Sequence, residues 1–504
     1  MNSSSPTASH PPIAIIGGGL GGLSAAIHLR VRGHEVTVFE KEDAPGGRAS
    51  RIVQEGFTFD TGPTLLNYPW VFEELFAAAG KRLADYVQLL PVDPSVAYQW
   101  PDGARLELTS QYDQLRANLE ALEPGAGLGL ARFFRDAHAK YALSFDKLVT
   151  RNADNPLAWL GGLSFRDMLR TSIWRSLYGE LGRFFRNPRI REAFGAYGMY
   201  LGGSPFDLPG IFSILAYGEL AYGLWLPKGG VYGLVEGMAN LAEELGVRIR
   251  CNTPVQAIQV KNGAVRGLKL ADGETEDWRL VVSNVDAPTT NTQLVDDKAF
   301  REAAQRRINR VAMTPSVYTF YWGVRRPISG IGHHTIFLPE DYRGAFTDLF
   351  KNGRLPAGLP FYTSVASATD PGLAPPNGTS VFVLAPAPLL GPANGHADPV
   401  DPSIIRERVL TRLNHHGVDL SEADIHTETV YTPTEWRDRF GLYRGSAFGE
   451  GHTLFQMGPW RSPNYARAIE GLYYVGAGVP PGTGMPMVVL GGRMTAERIA
   501  SHAR

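Results

Sequence analysis

Three glycines and one acid carry the clearest chemical signal in this sequence. Pro12 leads an apolar run, Ile13 to Ile16, which reads as a buried strand and breaks into Gly17-x-Gly19-x-x-Gly22. Leu23, Ala26, Ile27 and Val31 come next at helical spacing, Gly33 stops that helix, and Glu35 to Phe39 form a second β-rich run closed by Glu40. In such a βαβ unit the first glycine permits the tight turn and the second lets a pyrophosphate approach the backbone. The third lets helix and strand pack closely. The helix N-terminus then offers free N–H groups and the positive end of its dipole to phosphates. Glu40 stands 21 residues after Gly19. A carboxylate there accepts ribose hydroxyls and repels a 2′-phosphate, so the unit predicts a dinucleotide other than NADP. The competing reading is an ordinary α/β turn, and the acid at the end of the second strand weighs against it.

Composition narrows the remaining choices. A chain of 504 residues exceeds one core and predicts two or three lobes. Its net charge of −1 gives no electrostatic case for nucleic acid. Cys251 is the single cysteine, so no intrachain disulfide and no cysteine metal cluster can form. The histidines lack HxxxH spacing, and no metal site is expected. Residues 1–11 are rich in Ser, Thr and Pro and read as a disordered tail without the features of a secretion signal. No run of 18 apolar residues occurs, so no segment is expected to span a bilayer. A cytoplasmic protein resting on the inner face of a membrane fits these features.

The residues after Glu40 bear on which dinucleotide is bound. Lys41 comes next, then Ala44-Pro45-Gly46-Gly47-Arg48, then Gly56-Phe57-Thr58-Phe59-Asp60-Thr61-Gly62-Pro63. Here the chain resembles the flavoprotein amine-oxidase and phytoene-desaturase superfamily. The resemblance implies FAD, with Gly47 and Arg48 along the pyrophosphate and Asp60, Thr61, Gly62 and Pro63 near the isoalloxazine. Trp225-Leu226-Pro227-Lys228-Gly229-Gly230 leads into a helix bearing Val231, Leu234, Val235, Met238 and Leu241, and then into three short strands. Asn262-Gly263 marks a hairpin between the last two. By the same resemblance the backbone of Val255 meets the adenine. At the C-terminus a strand over Leu472 to Val475 precedes Gly476-Ala477-Gly478 and Gly482-Thr483-Gly484-Met485-Pro486. This is similar to the loop that closes FAD in phytoene desaturases, with a helix start aimed at the flavin.

The implied fold is α/β, α+β mixed: a Rossmann-like FAD-binding domain of glutathione-reductase type beside a substrate domain on a mixed sheet and a helical membrane-facing segment. The expected partition is 12–85, 225–299 and 452–504 for FAD, and 86–135 with 300–451 for substrate. Residues 136–224 form the helical segment. Ser164 to Asn187 reads as one amphipathic helix, with Phe165, Leu169, Ile173, Leu177, Leu181 and Phe184 as its apolar stripe. Arg166, Arg170, Arg175, Arg183 and Arg186 lie among the other positions, a pattern suited to anionic lipid or to a solvated face of a core helix.

Leu163 to Arg170, Asn187 to Phe194 and Leu201 to Phe206 are similar to segments of bacterial-type phytoene desaturases. The resemblance implies an FAD-dependent desaturase taking a C30–C40 carotenoid by hydride transfer to flavin, with a quinone or oxygen as electron acceptor. Asp167 and Arg170 are the candidate catalytic pair, the alternative for Asp167 being a helix cap paired with Ser164. In the closing loop Pro480 replaces a histidine common among phytoene enzymes, and Met487 stands where glycine is usual. A later-pathway carotenoid 3,4-desaturase therefore stays open beside a phytoene enzyme. An amine oxidase with an aromatic cage, and a lipid-binding relative without flavin, are the rivals of other classes.

Overall fold

The computed structural model describes residues 11–152, 155–391 and 400–503; the tail expected over 1–11 lies outside them apart from Pro11. Ile13–Ile16 is buried along its whole length and pairs in parallel with Val36–Phe39 on one side and Leu280–Ser283 on the other. Leu472–Tyr474 and Arg248–Arg250 complete a five-stranded parallel sheet at its two edges. These strands are short and rich in Val and Ile because a parallel sheet is covered on both faces. Leu20–Val31, Val231–Glu244 and Met485–His502 are the long helices associated with this sheet. The first and last of them nearly touch: a Cβ on Gly492 would lie 2.4 Å from Ser24 Oγ, and that hydroxyl donates to the Val489 carbonyl at 2.7 Å. The expected hairpin joins Val255–Lys261 to Ala264–Leu270 through Asn262 and Gly263, with φ of 54° and 71°, as a two-residue turn with both φ values positive requires.

A seven-stranded mixed sheet lies beyond. Its order is Ile425–Tyr431, Ser316–Val324, Thr379–Ala387, Phe361–Ser364, His334–Phe337, Val96–Gln99 and Arg105–Leu108. Alternation along Ser316–Val324 sets its two faces. Tyr318, Phe320 and Trp322 pack with Ile405, Val409 and Leu413 of the helix Pro402–His415, whereas Val317 and Thr319 face an internal cavity.

The single amphipathic helix expected over Ser164 to Asn187 is not formed. Phe165–Arg170 and Leu177–Leu181 are separate short helices, and Ser172 between them takes a φ of 50°. The chain turns because the second part is held elsewhere: Leu177 N–H donates to Leu208 O at 2.7 Å, and Gly210 N–H to Arg175 O at 2.8 Å. Glu180, fully buried, draws Lys140, Arg175 and Arg183 around it. The stripe is thereby divided: Leu177, Leu181 and Phe184 are core, Ile173 is half-buried, and Phe165 and Leu169 are exposed, as is Trp174 beside the stripe. Among the described residues no helix is long and apolar enough to cross a membrane.

Candidate active site

A cavity of about 660 Å³ extends from the glycine turn to the inner face of the seven-stranded sheet. It opens outside the carboxyl ends of the parallel strands, where the crevices of open α/β sheets form. Gly17, with φ of 94°, and Gly19 line it, and a Cβ on Gly19 would meet Asn284 Oδ1 at 2.8 Å. Gly22 stands behind them, where a Cβ would lie 2.2 Å from the Gly17 carbonyl oxygen, so its role is close packing of helix on turn. Glu40 also lines the cavity, is 4% exposed, and accepts N–H bonds from Gly18 at 2.7 Å and Glu42 at 3.0 Å. Lys41 borders the same end and bonds the Arg439 carbonyl.

Gly47, Arg48, Gly62 and Pro63 form the next part of the wall. The Arg48 guanidinium donates to Ala447 O at 2.7 Å; burial works against its charge and the Asp286 carboxylate supports it. Burial in turn pushes the Asp286 carboxyl up to about 6, against the Tyr443 N–H and Arg48, which favour the charged form. A Cβ on Gly62 would meet the Arg48 carbonyl at 2.5 Å. Thr61 braces that turn by donating to the carbonyls of Arg48 and Ser50. Asp60 lies outside the wall: its carboxylate accepts from Val231 and Tyr232 N–H at 2.8 and 3.0 Å, capping the helix Val231–Glu244. The expectation that Asp60 and Thr61 sit at the ring is corrected to this supporting role.

Val255, Gly476, Ala477, Gly484, Met485 and Pro486 all line the cavity, as does Met487. Gly484, with φ of 112°, is the N-cap of Met485–His502, and no side chain caps that helix. Gly19 likewise caps Leu20–Val31 without a side-chain hydrogen bond. Two long helices thus present uncapped N–H groups to one cavity, with a buried carboxylate, a half-buried guanidinium and close backbone approach between them. These residues fit FAD: the first helix and its glycines for the pyrophosphate, Glu40 for the ribose, the second helix for the flavin ring.

Much of the rest of the wall is apolar, with Met199, Phe212, Ile336, Phe346, Phe350 and Leu384 among its residues, and Tyr68, Tyr200, Tyr362 and His452 stand among them. Asp167 and Arg170 are not part of it. Asp167 forms the capping box with Ser164 and an ion pair with Lys147 at 2.8 Å, and these contacts hold its carboxyl down at about 2. A group so strongly acidic is a poor proton acceptor, so the catalytic expectation gives way to the capping one. Asn284 and Asp286 are site residues that no local motif marks. Their signal is topological, since they come directly after Leu280–Ser283, the strand beside Ile13–Ile16. Tyr473 and Tyr474 form no cage: their hydroxyls bond His502 and Asn291, and neither ring lines the cavity.

Comparison with known proteins agrees with this geometry. The family model described as flavin containing amine oxidoreductase matches residues 20–500. A zeta-carotene-forming phytoene desaturase of Myxococcus xanthus is 35% identical over 97% of this chain and 94% of its own length. A lycopene-forming phytoene desaturase of Pseudescherichia vulneris is 34% identical over 96% and 98%. The solved structure of an oxidoreductase from Methanosarcina mazei superposes with a TM-score of 0.59 at 16% identity, covering 98% of this chain and all of that one. With the cradle, the two helix starts and a match along nearly its whole length, the chain belongs to the flavin-containing amine oxidoreductase family.

Proposed function

We propose that this chain is an FAD-dependent carotenoid desaturase, an oxidoreductase that converts CH–CH to C=C in a C30–C40 polyene. The observation that carries the reading is one cavity with a nucleotide cradle at one end and an apolar arm, lined by residues such as Phe346, Phe350 and Ile336, at the other. Bound in the cradle, FAD supplies the hydride acceptor. The chain's own residues orient the cofactor through Glu40 and the two helix starts, and exclude water from the polyene with an aromatic wall. Relatives that act on carotenoids, at about one third identity over nearly the full length, support the substrate class.

The FAD side is assembled from 12–85, 225–299 and 452–504, and the reduced cofactor passes its electrons to a quinone or to oxygen. The protein acts at the inner membrane face as a peripheral enzyme. Exposed Leu157, Phe165, Leu169 and Trp174, with Trp460 in ring contact with both Trp159 and Phe455, support an apolar docking surface.

The test is purification with flavin quantified, then anaerobic incubation with liposomes carrying phytoene, neurosporene or lycopene. Bleaching of the flavin together with a more conjugated product is the expected result. Yellow protein that none of these polyenes reduces, while an amine does, overturns the reading.

A further inference from the structure

One buried carboxyl on the substrate side takes no part in holding the cofactor. Glu219 lies on the helix Ile214–Tyr222, whose first residues, Ile214 and Leu215, line the cavity. It is 0% exposed, and among the described residues no Lys or Arg forms an ion pair with it. Oε1 accepts the Tyr197 hydroxyl at 2.7 Å, and Oε2 has no partner.

The groups facing Glu219 are tyrosines. Its charge is felt at Tyr68, Tyr98, Tyr197, Tyr200 and Tyr362, with His334 behind Tyr362 at 2.6 Å from its hydroxyl. Three of them, Tyr68, Tyr200 and Tyr362, line the cavity and come from different parts of the chain. Tyr197 and Tyr200 sit three apart on a 3₁₀ turn, Ala196–Leu201, where such side chains eclipse, and their ring centroids are 5.1 Å apart. The Tyr200 hydroxyl, also buried, has no hydrogen-bond partner. Tyr200 Oη and Glu219 Oε2 are thus two buried, unpartnered oxygens on either side of Tyr197, and a hydrogen bond between them forms when one side chain moves towards the other.

We propose that Glu219, acting through the Tyr200 hydroxyl at the cavity wall, is the positioning carboxylate that receives the proton lost by the polyene. The inference rests on the desaturase reading. One C–H bond breaks and its electron pair leaves with the hydrogen for the flavin, so a delocalised cation remains on the polyene. The neighbouring C–H bond breaks and its pair becomes the new π bond. Once the two side chains have closed to hydrogen-bond distance, that proton binds Tyr200 Oη as the hydroxyl's own proton passes to Glu219 Oε2. A carboxylate in a low-dielectric wall also stabilises the cation before the proton leaves. Burial pushes the Glu219 carboxyl up to about 7, while its bond from Tyr197 favours the charged form. The acceptor form is therefore gained as pH rises through neutrality.

Glu219→Gln keeps a hydrogen-bond acceptor for Tyr197 and removes the base; Glu219→Asp restores charge, and Tyr200→Phe removes the relay. Single-turnover flavin reduction by liposome-borne carotenoid is measured from pH 5.5 to 8.5, with flavin content determined for each variant. Infrared difference spectra of the flavin-free protein report the protonated carboxyl band. We expect Glu219→Gln and Tyr200→Phe to retain FAD and to slow flavin reduction by about 100-fold or more. Glu219→Gln is also expected to lose the rise with pH and the titrating carboxyl band, and Glu219→Asp to recover part of the rate. A Glu219→Gln rate within about threefold of wild type with an unchanged pH profile overturns the proposal, as does a carboxyl band that persists in that variant. If Glu219→Gln does not fold, Tyr200→Phe and the wild-type band decide. A wild type that no carotenoid reduces overturns the desaturase reading itself, a different outcome from a Glu219→Gln protein that works normally.

Discussion

Glu40 and Gly18, 22 positions apart, are joined by a 2.7 Å hydrogen bond from the glycine N–H to Glu40 Oε2. The bond ties the end of the second strand to the glycine turn, so the acid proposed for the ribose would also fix the loop proposed for the pyrophosphate. Replacing Glu40 by Ala removes both functions. A charge-assisted bond of this kind contributes about 1.5–3 kcal/mol, so FAD affinity should fall by roughly 10- to 100-fold. Flavin retained after gel filtration measures it, and unchanged content in the variant would exclude the assignment.

Gly22→Ala should be harsher on folding. Its Cβ would lie 2.2 Å from a backbone carbonyl, that of Gly17, which cannot swing aside as a side chain can. Overpacking of this type costs about 1–3 kcal/mol. The expected outcome is a lower Tm and loss of bound flavin together. A variant with wild-type Tm and flavin content contradicts the packing role given to this glycine.

Asp167→Asn should leave desaturation within about threefold of wild type, because general-base losses are far larger and Asp167 lies outside the cavity wall, held by Lys147 and Ser164. Asparagine still caps a helix start well. Product analysis in carotenoid-producing cells checks this, and a large loss with FAD retained would return Asp167 to the chemistry.

How far the sequence reaches depends on whether the determining contacts are local. The turn at Gly17 to Gly22 and the acid at Glu40 are legible because one βαβ unit contains the whole arrangement. Asn262-Gly263 is legible because the turn needs positive φ at both positions. The segment around Ser172 is not. Its apolar residues keep a helical spacing, but Glu180 gathers Lys140 from a distant helix, and the backbone bonds to 208–210 bend the chain. Tyr200 and Glu219 are invisible for the same reason: an unpaired carboxyl becomes notable only when its surroundings are known to be tyrosine and apolar.

Membrane docking should depend on apolar side chains more than on the arginines. Arg175 and Arg183 are engaged with Glu180, so reversing their charge would disturb a buried cluster. Leu157, Phe165 and Trp174 are 80%, 74% and 56% exposed and can be changed without opening the core. Each contributes up to about 1.5–3 kcal/mol when buried in lipid. The triple serine variant should keep its Tm and remain in the supernatant when wild type sediments with anionic liposomes. Equal sedimentation of the two places the docking surface elsewhere.

Glu219 also predicts how stability responds to pH. Its folded-state pKa, about 7, lies above the ordinary 4.5, so the folded protein holds this proton more tightly than the unfolded chain. That contribution is complete below the unfolded pKa and is lost as pH rises through about 7, where a buried carboxylate must be tolerated. A shift of this size corresponds to roughly 3 kcal/mol. Glutamine stays neutral at every pH and still accepts the Tyr197 hydroxyl, so Glu219→Gln should be the more stable protein above neutrality. Its advantage should shrink as the pH is lowered towards about 4.5. Tm measured against pH on flavin-free protein reports this without any contribution from turnover. Parallel curves for wild type and Glu219→Gln would mean that Glu219 does not titrate in this range, and a proton acceptor working near neutrality would then have to be sought at another residue.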